Sequence, residues 1–365
     1  MRVGIFGAGC VGFFVGAHIQ SSNKHEVHYV GRSVLRRVEK AGELRITDFK
    51  RPSYNLRYEL KDINVHYDER ILKTCDVIFV CLKLGQNNKL LEGLNQNTTV
   101  VFLQNGVRKP ENVGKKNTVV QGMIPYGVNE LKPGHFHRCT AGSLAFENTL
   151  PDQIVSALRN SGLGVKLYER SDFEAVKWFK LIVNLGNALN AVCGKPLATC
   201  LRNREYRTML RAVWKEGLEV CEQANIPLMG DINGRSISFV MKVLALPNFA
   251  YNTIAKIMKT TDENYKSSML TDLILKRQTE LEELNFRIVM IGKKYGVPTP
   301  VNELLVRLVK KAESQNSGSP SKTPSELYTL AFLETPQHLS SFYYLIFGML
   351  LLITFISYQL IYLRV

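Results

Sequence analysis

Three closely spaced glycines near the amino terminus constrain the fold of this chain more than any other feature. The chain opens with MRVGIFGAGCVGFFVG, in which Gly7, Gly9 and Gly12 follow a short apolar run and precede a stretch of helical character. Glycine is unfavourable inside a helix, so these positions require a backbone without a side chain. The pattern G-x-G-x-x-G between a strand and a helix is typical of a turn that binds the pyrophosphate of a dinucleotide.

Each glycine has its own role in such a turn. Gly7 permits the tight turn, Gly9 lets the backbone approach a pyrophosphate, and Gly12 lets the helix pack close to the strand. The start of the helix presents free N–H groups and a partial positive charge to the phosphates. The alternative is a close-packed turn without a ligand. We predict that the turn binds a dinucleotide through Gly7, Ala8, Gly9, Cys10, Val11 and Gly12.

The residues after the second strand indicate which dinucleotide is bound. An NAD site usually carries Asp or Glu there, which holds the ribose 2′-hydroxyl. In this chain the strand ends in Gly31-Arg32-Ser33. An arginine suits a 2′-phosphate, because it forms charge-assisted and bidentate hydrogen bonds. We therefore predict NADP(H) as the cofactor and Arg32 as a ligand of its 2′-phosphate. Arg36 and Arg37 follow closely but can be explained as solvated helix charges, so the role is assigned to Arg32 alone.

The order of apolar runs predicts the fold class. Short runs rich in Val, Ile and Phe occupy Arg2–Gly7, His25–Gly31, Cys75–Lys83 and Thr99–Gly106, and helical or loop stretches separate them. This alternation is typical of a parallel, doubly wound sheet covered on both faces. From about Asp152 the chain has helical character. We predict an α/β protein with an N-terminal Rossmann-like sheet domain in residues 1–170 and an all-helical domain in residues 171–313.

The carboxyl-terminal part has a different composition. Residues 314–341 include a polar Ser/Pro/Gly stretch that is typical of a flexible linker. Residues 342–363 contain no charge and would form about 33 Å of helix, enough to span a bilayer. The sequence therefore predicts a transmembrane tail anchor that attaches the folded part to a membrane on its cytosolic side, with the organelle left open. The alternative is a buried dimerisation helix.

Composition narrows the classes of partner. The formal net charge of +15 attracts anions, which a phosphorylated cofactor, a membrane surface or a solvated basic surface explains equally well. No zinc-finger spacing or RNP-like motif supports nucleic acid. The seven cysteines are scattered without a CxxC pair, which favours reduced thiols. His135 and His137 have no third ligand nearby, so no metal site is expected.

One apolar helix in the second half carries polar side chains at regular spacing. In EAVKWFKLIVNLGNALNAV, Lys180, Asn184 and Asn187 are separated by four and three residues and share one helix face. A lysine in such a segment is unfavourable to bury unless it has a partner or a function. A site in a cleft is one interpretation. An interhelical hydrogen-bond network or a lysine that reaches out to solvent is the other.

Several motifs, in this order, resemble the ketopantoate reductase (2-dehydropantoate 2-reductase) family from Met1 to about Lys311. They are GAGCVG, VCLKLGQ with Lys83, LQNG with Asn105, PGHFHRCTAGSLAFE, WFKLIVN with Lys180 and Asn184, SSMLTD with Ser268, and TELEELN with Glu280. Each match is modest, whereas their order and spacing together are specific to the family.

The resemblance implies a reaction and a set of roles. NADPH would transfer a hydride to the 2-oxo carbon of ketopantoate, and Lys180 would donate the proton and stabilise the developing alkoxide. Glu280 would lie between the substrate and the nicotinamide ribose. The resemblance also implies cofactor contacts at Lys83 and Asn105 and substrate contacts at Asn184, Asn187 and Ser268. A homodimer is a possible assembly.

Two departures from the family pattern affect substrate recognition. Ala188 stands where the family commonly has a substrate asparagine, with Asn187 one residue earlier, and Tyr265 stands at another such position beside Asn264. A shift of one residue turns a helical side chain by about 100°. Another branched 2-oxo acid as substrate therefore stays as an alternative. The predicted membrane tail, which a reductase does not need, favours a different alternative, a non-catalytic NADP(H)-binding sensor or scaffold.

The site hypothesis makes one geometric prediction. Ser268 and Glu280 are 12 residues apart, or about 18 Å along a continuous helix, which is too far for both to touch one small molecule. Thr279 and Glu282 have the form of a capping box. We therefore expect a helix break between Ser268 and Thr279 and a new helix that begins at Thr279.

Overall fold

The computed structural model describes residues 1–83, 91, 93–107, 113–114, 116–258 and 262–333. The strands of this part are β1 (Arg2–Phe6), β2 (Glu26–Val30), β3 (Glu43–Asp48), β4 (Arg51–Glu59), β5 (Asn64–His66), β6 (Val77–Val80), β7 (Thr99–Leu103), β8 (Thr118–Met123), β9 (Val128–Lys132), β10 (His135–Arg138), β11 (Leu144–Glu147) and β12 (Val165–Tyr168). They form two sheets that share one N-terminal domain.

The main sheet is mostly parallel and has the expected doubly wound order. Among the described residues it has eight strands in the order β12-β11-β8-β7-β6-β1-β2-β5. Every residue of β6 and β7 is buried, as expected for parallel strands covered on both faces. Strand β1 pairs in parallel with β2 on one side and β6 on the other. The chain connections therefore diverge at the carboxyl end of β1, the position at which such sheets bind ligands.

Within its described residues the N-terminal domain has three α-helices: α1 (Cys10–Gln20), α2 (Ser33–Ala41) and α3 (Asp152–Asn160). A second sheet, in the order β4-β3-β10-β9, packs against α1. The rings of Phe13 in α1 and Phe136 in β10 stack with centroids 5.1 Å apart. This second sheet is absent from the sequence-based prediction, although the alternating burial of β3 is the period-2 pattern of a half-buried strand.

The described residues from Arg170 to Leu333 are mostly helical. Its helices are α4 (Arg170–Asn184), α5 (Gly186–Cys193), α6 (Leu197–Leu201), α7 (Arg204–Gln223), α8 (Ile237–Leu244), α9 (Asn248–Met258), α10 (Ser268–Ile274), α11 (Asn285–Tyr295), α12 (Pro300–Gln315) and α13 (Pro324–Tyr328). One continuous apolar core joins α4, α5, α7, α10, α11 and α12.

Buried polar groups orient these helices. The Glu216 carboxylate in α7 accepts hydrogen bonds from the backbone N–H groups of Val301 and Asn302, at 2.8 and 2.9 Å, and so caps the start of α12. The fully buried Arg207 guanidinium, also in α7, donates to the carbonyls of Leu244, the last residue of α8, and of Leu246. These charge-assisted bonds fix α8 and α12 against α7.

Part of the stretch expected as a flexible linker is folded onto the helical domain. The Ser319 hydroxyl donates to the carbonyl of Ala191 at 2.7 Å, and the backbone N–H of Lys322 donates to the carbonyl of Val192 at 3.0 Å. Leu327 in α13 is fully buried. Residues 314–333 thus differ from the expectation, because these hydrogen bonds and the buried side chains of Leu327 and Ala331 attach the segment to the helical domain.

The fold class predicted from the sequence is wrong about its third part, the C-terminal transmembrane helix. In the described portion of the chain, no helix is both long enough and apolar enough to cross a membrane. The expected span, residues 342–363, lies outside the described residues. The fold class is therefore corrected to an N-terminal Rossmann-like domain followed by a helical domain. The predicted membrane attachment and localisation rested on that span alone and are corrected with it.

Candidate active site

The glycine-rich turn lies at the carboxyl end of β1. Gly7 has φ +99°, in the region that favours glycine, and a Cβ there would lie 2.8 Å from the backbone of Cys81 and Leu82. A Cβ on Gly12 would lie 2.4 Å from the carbonyl oxygen of Gly7. Close packing of protein atoms therefore explains why these two positions are glycine.

Gly9 is different, because the protein itself does not fill the space beside it. A Cβ on Gly9 would meet only the Gly7 carbonyl oxygen, at 4.0 Å. Gly9 is the N-cap of α1, and no side chain caps this helix end. The first hydrogen bond of the helix runs from the N–H of Phe13 to the carbonyl of Gly9. The N–H groups that precede Phe13 in α1 therefore have no intrahelical carbonyl to accept a hydrogen bond from them. The turn fits the pyrophosphate of a dinucleotide.

The arginines after β2 have different surroundings. Arg32 is exposed and precedes α2 as its N-cap residue. Arg37 is paired instead: its Nε donates to both carboxylate oxygens of Glu130 at 3.1 Å, and its Nη2 also contacts this carboxylate. In the described part of the chain, Arg32 has no ion-pair partner, so its charge is available to a ligand.

The chain between α10 and α11, residues 275–284, runs across the carboxyl ends of the parallel strands; we call it the interhelix segment. Lys83, after β6, donates to the carbonyl of Gln278 at 3.0 Å and pairs with Asp272 at 2.5 Å. Asn105, after β7, donates through Nδ2 to the Glu280 carboxylate at 3.0 Å. Burial raises the pKa of Glu280, and the Asn105 hydrogen bond and the Lys83 charge oppose that rise. These contacts join the two domains at the edge where ligands bind.

The expected helix break is present. Helix α10 ends at Ile274, Lys276 has φ +53°, and a 3₁₀ turn occupies Leu281–Glu283. The new helix, α11, begins at Asn285 and not at Thr279. The Thr279 N–H donates to Glu313 of α12 at 2.7 Å, so a tertiary contact replaces the expected capping box.

Lys180 lies in a cavity of about 430 Å³ between the two domains. Its Nζ donates to the carbonyl of Pro125 at 3.0 Å, and no carboxylate in the described part of the chain pairs with it. Burial lowers the pKa of Lys180 to about 8, because a desolvated ammonium is less stable than a hydrated one. By contrast, Lys177 on the same helix is buried and bonded to Gln121 and Glu174. Lys180 is therefore the lysine of α4 that faces a ligand-sized space.

The polar groups that share the cavity with Lys180 include Asn184, Asn187 and Tyr265. The side-chain amides of Asn184 and Asn187 have no hydrogen-bond partner among the described residues. Ser268 is exposed and does not line the cavity, whereas the neighbouring Ser267 is buried, lines it and donates to the carbonyl of Asn187 at 3.3 Å. Ala188 is buried in the core instead.

Six of the predicted site residues fall into two groups. Lys83, Asn105 and Glu280 meet at the interhelix segment, and Lys180, Asn184 and Asn187 line the cavity. No hydrogen bond joins the two groups within the described residues. The sequence pattern does not indicate that Ser267, Asp272 and Gln278 lie at the site, although the first two belong to the SSMLTD motif.

Comparison with protein families matches most of the chain. The model described as "Ketopantoate reductase PanE/ApbA" matches residues 3–150. The model described as "Ketopantoate reductase PanE/ApbA C terminal" matches residues 172–313. The two matches correspond to the sheet domain and to the helical domain up to α12.

Individual relatives agree with these matches. The 2-dehydropantoate 2-reductase of Archaeoglobus fulgidus is 28% identical over 324 residues, which cover 86% of this chain and 98% of the relative. The 2-dehydropantoate 2-reductase of Aquifex aeolicus is 26% identical, and the match covers 66% of this chain and 77% of the relative.

Solved structures show the same fold. A PanE/ApbA family ketopantoate reductase from Ralstonia eutropha superposes with a TM-score of 0.68 at 24% identity, over 87% of this chain and all of the other. D-mandelate dehydrogenase with NADH and anilino(oxo)acetate superposes with a TM-score of 0.66 at 21% identity, with the same coverage of both chains.

Proposed function

This chain belongs to the ketopantoate reductase family, and we propose that it reduces 2-dehydropantoate to pantoate with NADPH, with Lys180 as the proton donor. It is an oxidoreductase that binds a nicotinamide dinucleotide. The observation that carries the proposal is the lysine in the interdomain cavity. Burial lowers the pKa of Lys180 to about 8, which suits an acid that must be protonated and yet release its proton near neutral pH.

When bound, the nicotinamide would supply the hydride for the 2-oxo carbon. As that carbon is reduced, negative charge develops on the 2-oxo oxygen, and the Lys180 ammonium stabilises this charge before it gives up a proton. The hydrogen bond from Lys180 to the Pro125 carbonyl holds the ammonium in place without neutralising it. The mostly apolar cavity wall strengthens this electrostatic interaction, because it lowers the local dielectric constant.

The chain's own residues account for cofactor and substrate binding in this proposal. Residues 7–12 would hold the pyrophosphate, and Arg32 would hold the 2′-phosphate that makes NADPH the preferred cofactor. Lys83, Asn105 and Glu280 would contact the nicotinamide half, because they meet at the carboxyl ends of β6 and β7. The free amides of Asn184 and Asn187 would bind the polar groups of the substrate.

An assay of NADPH oxidation with 2-dehydropantoate tests the proposal on the full-length chain. We expect turnover with the wild type and a loss of about 10²- to 10⁴-fold in kcat for Lys180→Ala, the range of a general acid. The affinity for NADPH, measured by fluorescence titration, should be unchanged. Lys166→Ala is the matched control, since Lys166 is an exposed lysine that lines the same cavity. A wild type that binds NADPH but reduces no 2-oxo acid would support the scaffold alternative instead.

A second candidate substrate is a 2-oxo acid with a larger apolar group. The cavity wall is mostly apolar and includes Phe179, Val240 and Ile254. Tyr265 supplies a phenol ring where the family commonly has an amide. Comparing kcat/KM for 2-dehydropantoate with that for branched and aromatic 2-oxo acids separates the two candidates, and a clear preference for 2-dehydropantoate would exclude the second.

A further inference from the structure

Arg277 of the helical domain reaches the end of β2 in the sheet domain. It lies in the interhelix segment, and its Nη2 donates to the hydroxyl of Ser33 at 3.4 Å. Ser33 is the first residue of α2 and follows Arg32 directly. Arg277 is therefore placed next to the position that the G-R-S sequence assigns to the adenosine ribose of the cofactor.

The positive charges around Ser33 differ in whether a protein group pairs with them. Arg37 is paired with Glu130, and the Arg36 guanidinium lies 5.8 Å from the centre of the Tyr67 ring. Arg32 and Arg277 have no carboxylate within ion-pair distance in the described part of the chain. The Arg277 guanidinium thus bonds to the hydroxyl of the residue that follows Arg32. Asp272, the carboxylate within electrostatic range of Arg277, is already paired with Lys83, and this arrangement favours a bound anion.

The interhelix segment holds Arg277 in this position. The residue on one side of it, Gln278, accepts a hydrogen bond from Lys83 through its carbonyl at 3.0 Å. The Arg277 N–H donates to the carbonyl of Asp272 at 2.8 Å, which closes the turn after α10. Burial raises the pKa of the Cys10 thiol to about 11, and Arg277 is among the positive charges that oppose that rise. The guanidinium is therefore near both the glycine-rich turn and the end of β2.

We propose that Arg277 binds the 2′-phosphate of NADP(H) together with Arg32 and Ser33, so that the helical domain takes part in selecting the cofactor. This inference rests on the proposed preference for NADPH. The 2′-phosphate carries the charge that distinguishes NADPH from NADH. Because Arg277 belongs to the helical domain and Arg32 to the sheet domain, a phosphate bound by both would also stabilise the contact between the two domains. Arg277 thus determines cofactor specificity and has no part in the chemical step.

Isothermal titration of the full-length chain with NADPH and with NADH tests the assignment. We expect Arg277→Ala to weaken NADPH binding by about tenfold or more, the effect of a charge-assisted hydrogen bond, and to change NADH binding less than about twofold. Arg277→Lys should retain part of the preference, because it keeps the charge but not the planar guanidinium. Arg36→Ala is the matched control, since it removes a nearby positive charge that faces Tyr67.

The outcomes separate this inference from the proposed function. A wild type with equal affinity for NADPH and NADH would overturn the proposed cofactor preference, and the role of Arg277 with it. A wild type that prefers NADPH, combined with an Arg277→Ala variant that binds NADPH equally well, would overturn only the role of Arg277. Equal weakening of NADPH and NADH binding by Arg277→Ala would also overturn it, because Arg277 would then act on domain packing and not on the phosphate.

Discussion

The side-chain amide of Asn105 donates a hydrogen bond to the carboxylate of Glu280 across 3.0 Å, and the two residues come from different domains. Asn105 follows strand β7 of the main sheet, and Glu280 lies in the interhelix segment. The nearby pair of Lys83 and Asp272 makes a second connection of the same kind. The sheet edge at which doubly wound folds bind their ligands is thus also the place where the two domains contact each other.

We predict that Glu280→Ala lowers kcat/KM by about tenfold to a hundredfold, because it leaves the Asn105 amide unpaired in a partly buried position. Glu280→Gln keeps an oxygen that accepts the hydrogen bond and should lose less. Steady-state kinetics with both substrates varied would measure this. Glu282→Ala is the control, since Glu282 is exposed and pairs with Lys310 at the surface. If Glu280→Ala behaves like this control, the interdomain hydrogen bond does not support catalysis.

The pKa of Lys180, lowered by burial to about 8, predicts a pH dependence. Below this pH the amine carries the proton that the reaction needs, and above it kcat/KM for reduction should fall about tenfold per pH unit. A pH–rate profile from pH 6 to 10 would measure it. Lys180→Arg is charged throughout this range, so its residual activity should lack the fall. A wild-type profile that stays flat to pH 10 would contradict the role of Lys180.

Tyr265 should affect the choice of substrate. Its ring lies directly on the backbone of Gly127, where an added Cβ would be 2.4 Å from the ring. We predict that Tyr265→Asn raises the ratio of kcat/KM for 2-dehydropantoate to that for an aromatic 2-oxo acid by about tenfold, because one amide hydrogen bond replaces apolar contact. Tyr265→Phe keeps the ring and should leave the ratio near the wild-type value. Equal ratios in all three proteins would exclude Tyr265 from substrate selection.

His18 should make the sheet domain sensitive to acid. Its ring is fully buried between Phe14 and Tyr54, and burial lowers its pKa to about 4. The unfolded chain therefore binds the proton more readily than the folded chain between pH 6.5 and 4, and stability falls as the pH falls through this range. At pH 5 this should remove about 2 kcal/mol relative to pH 7.5.

Urea unfolding of the wild type and His18→Phe at the two pH values would measure this effect. The variant keeps an aromatic ring but has no group that titrates, so its free energy of unfolding should change less between pH 7.5 and pH 5. Equal changes in both proteins would assign the acid sensitivity to other groups.

The sequence was most informative where one local pattern determines the structure. Continuous apolar runs predicted the parallel strands, because both faces of a parallel sheet are buried, and the glycine spacing predicted the turn after β1. Strands β3 and β4 were missed, since their exposed faces carry the polar residues that also occur in loops. Local capping residues predicted a helix start at Thr279, whereas a contact with Glu313 of another helix delays it to Asn285.

The site was predictable in its residue types more than in its geometry. The spacing of Lys180 and Asn184 placed them on one helix face, and both line the cavity. Nothing in the spacing shows that Ser267 and not Ser268 faces the cavity, because that depends on how α10 packs against α5. The interdomain contacts of Lys83 and Arg277 depend on tertiary structure, with partners nearly 200 residues or more away in the chain.

The docking of α13 determines how the protein can be shortened. The family match ends at residue 313, which suggests a natural place to end a recombinant version. Such a version would lose Leu327, whose side chain is fully buried, and would uncover the apolar surface beneath it. The cut would also remove Ser325, which bonds to Glu205 at the start of α7. A version that ends after residue 333 keeps this surface covered. It is therefore the better choice for crystallisation and for any assay that uses a shortened chain.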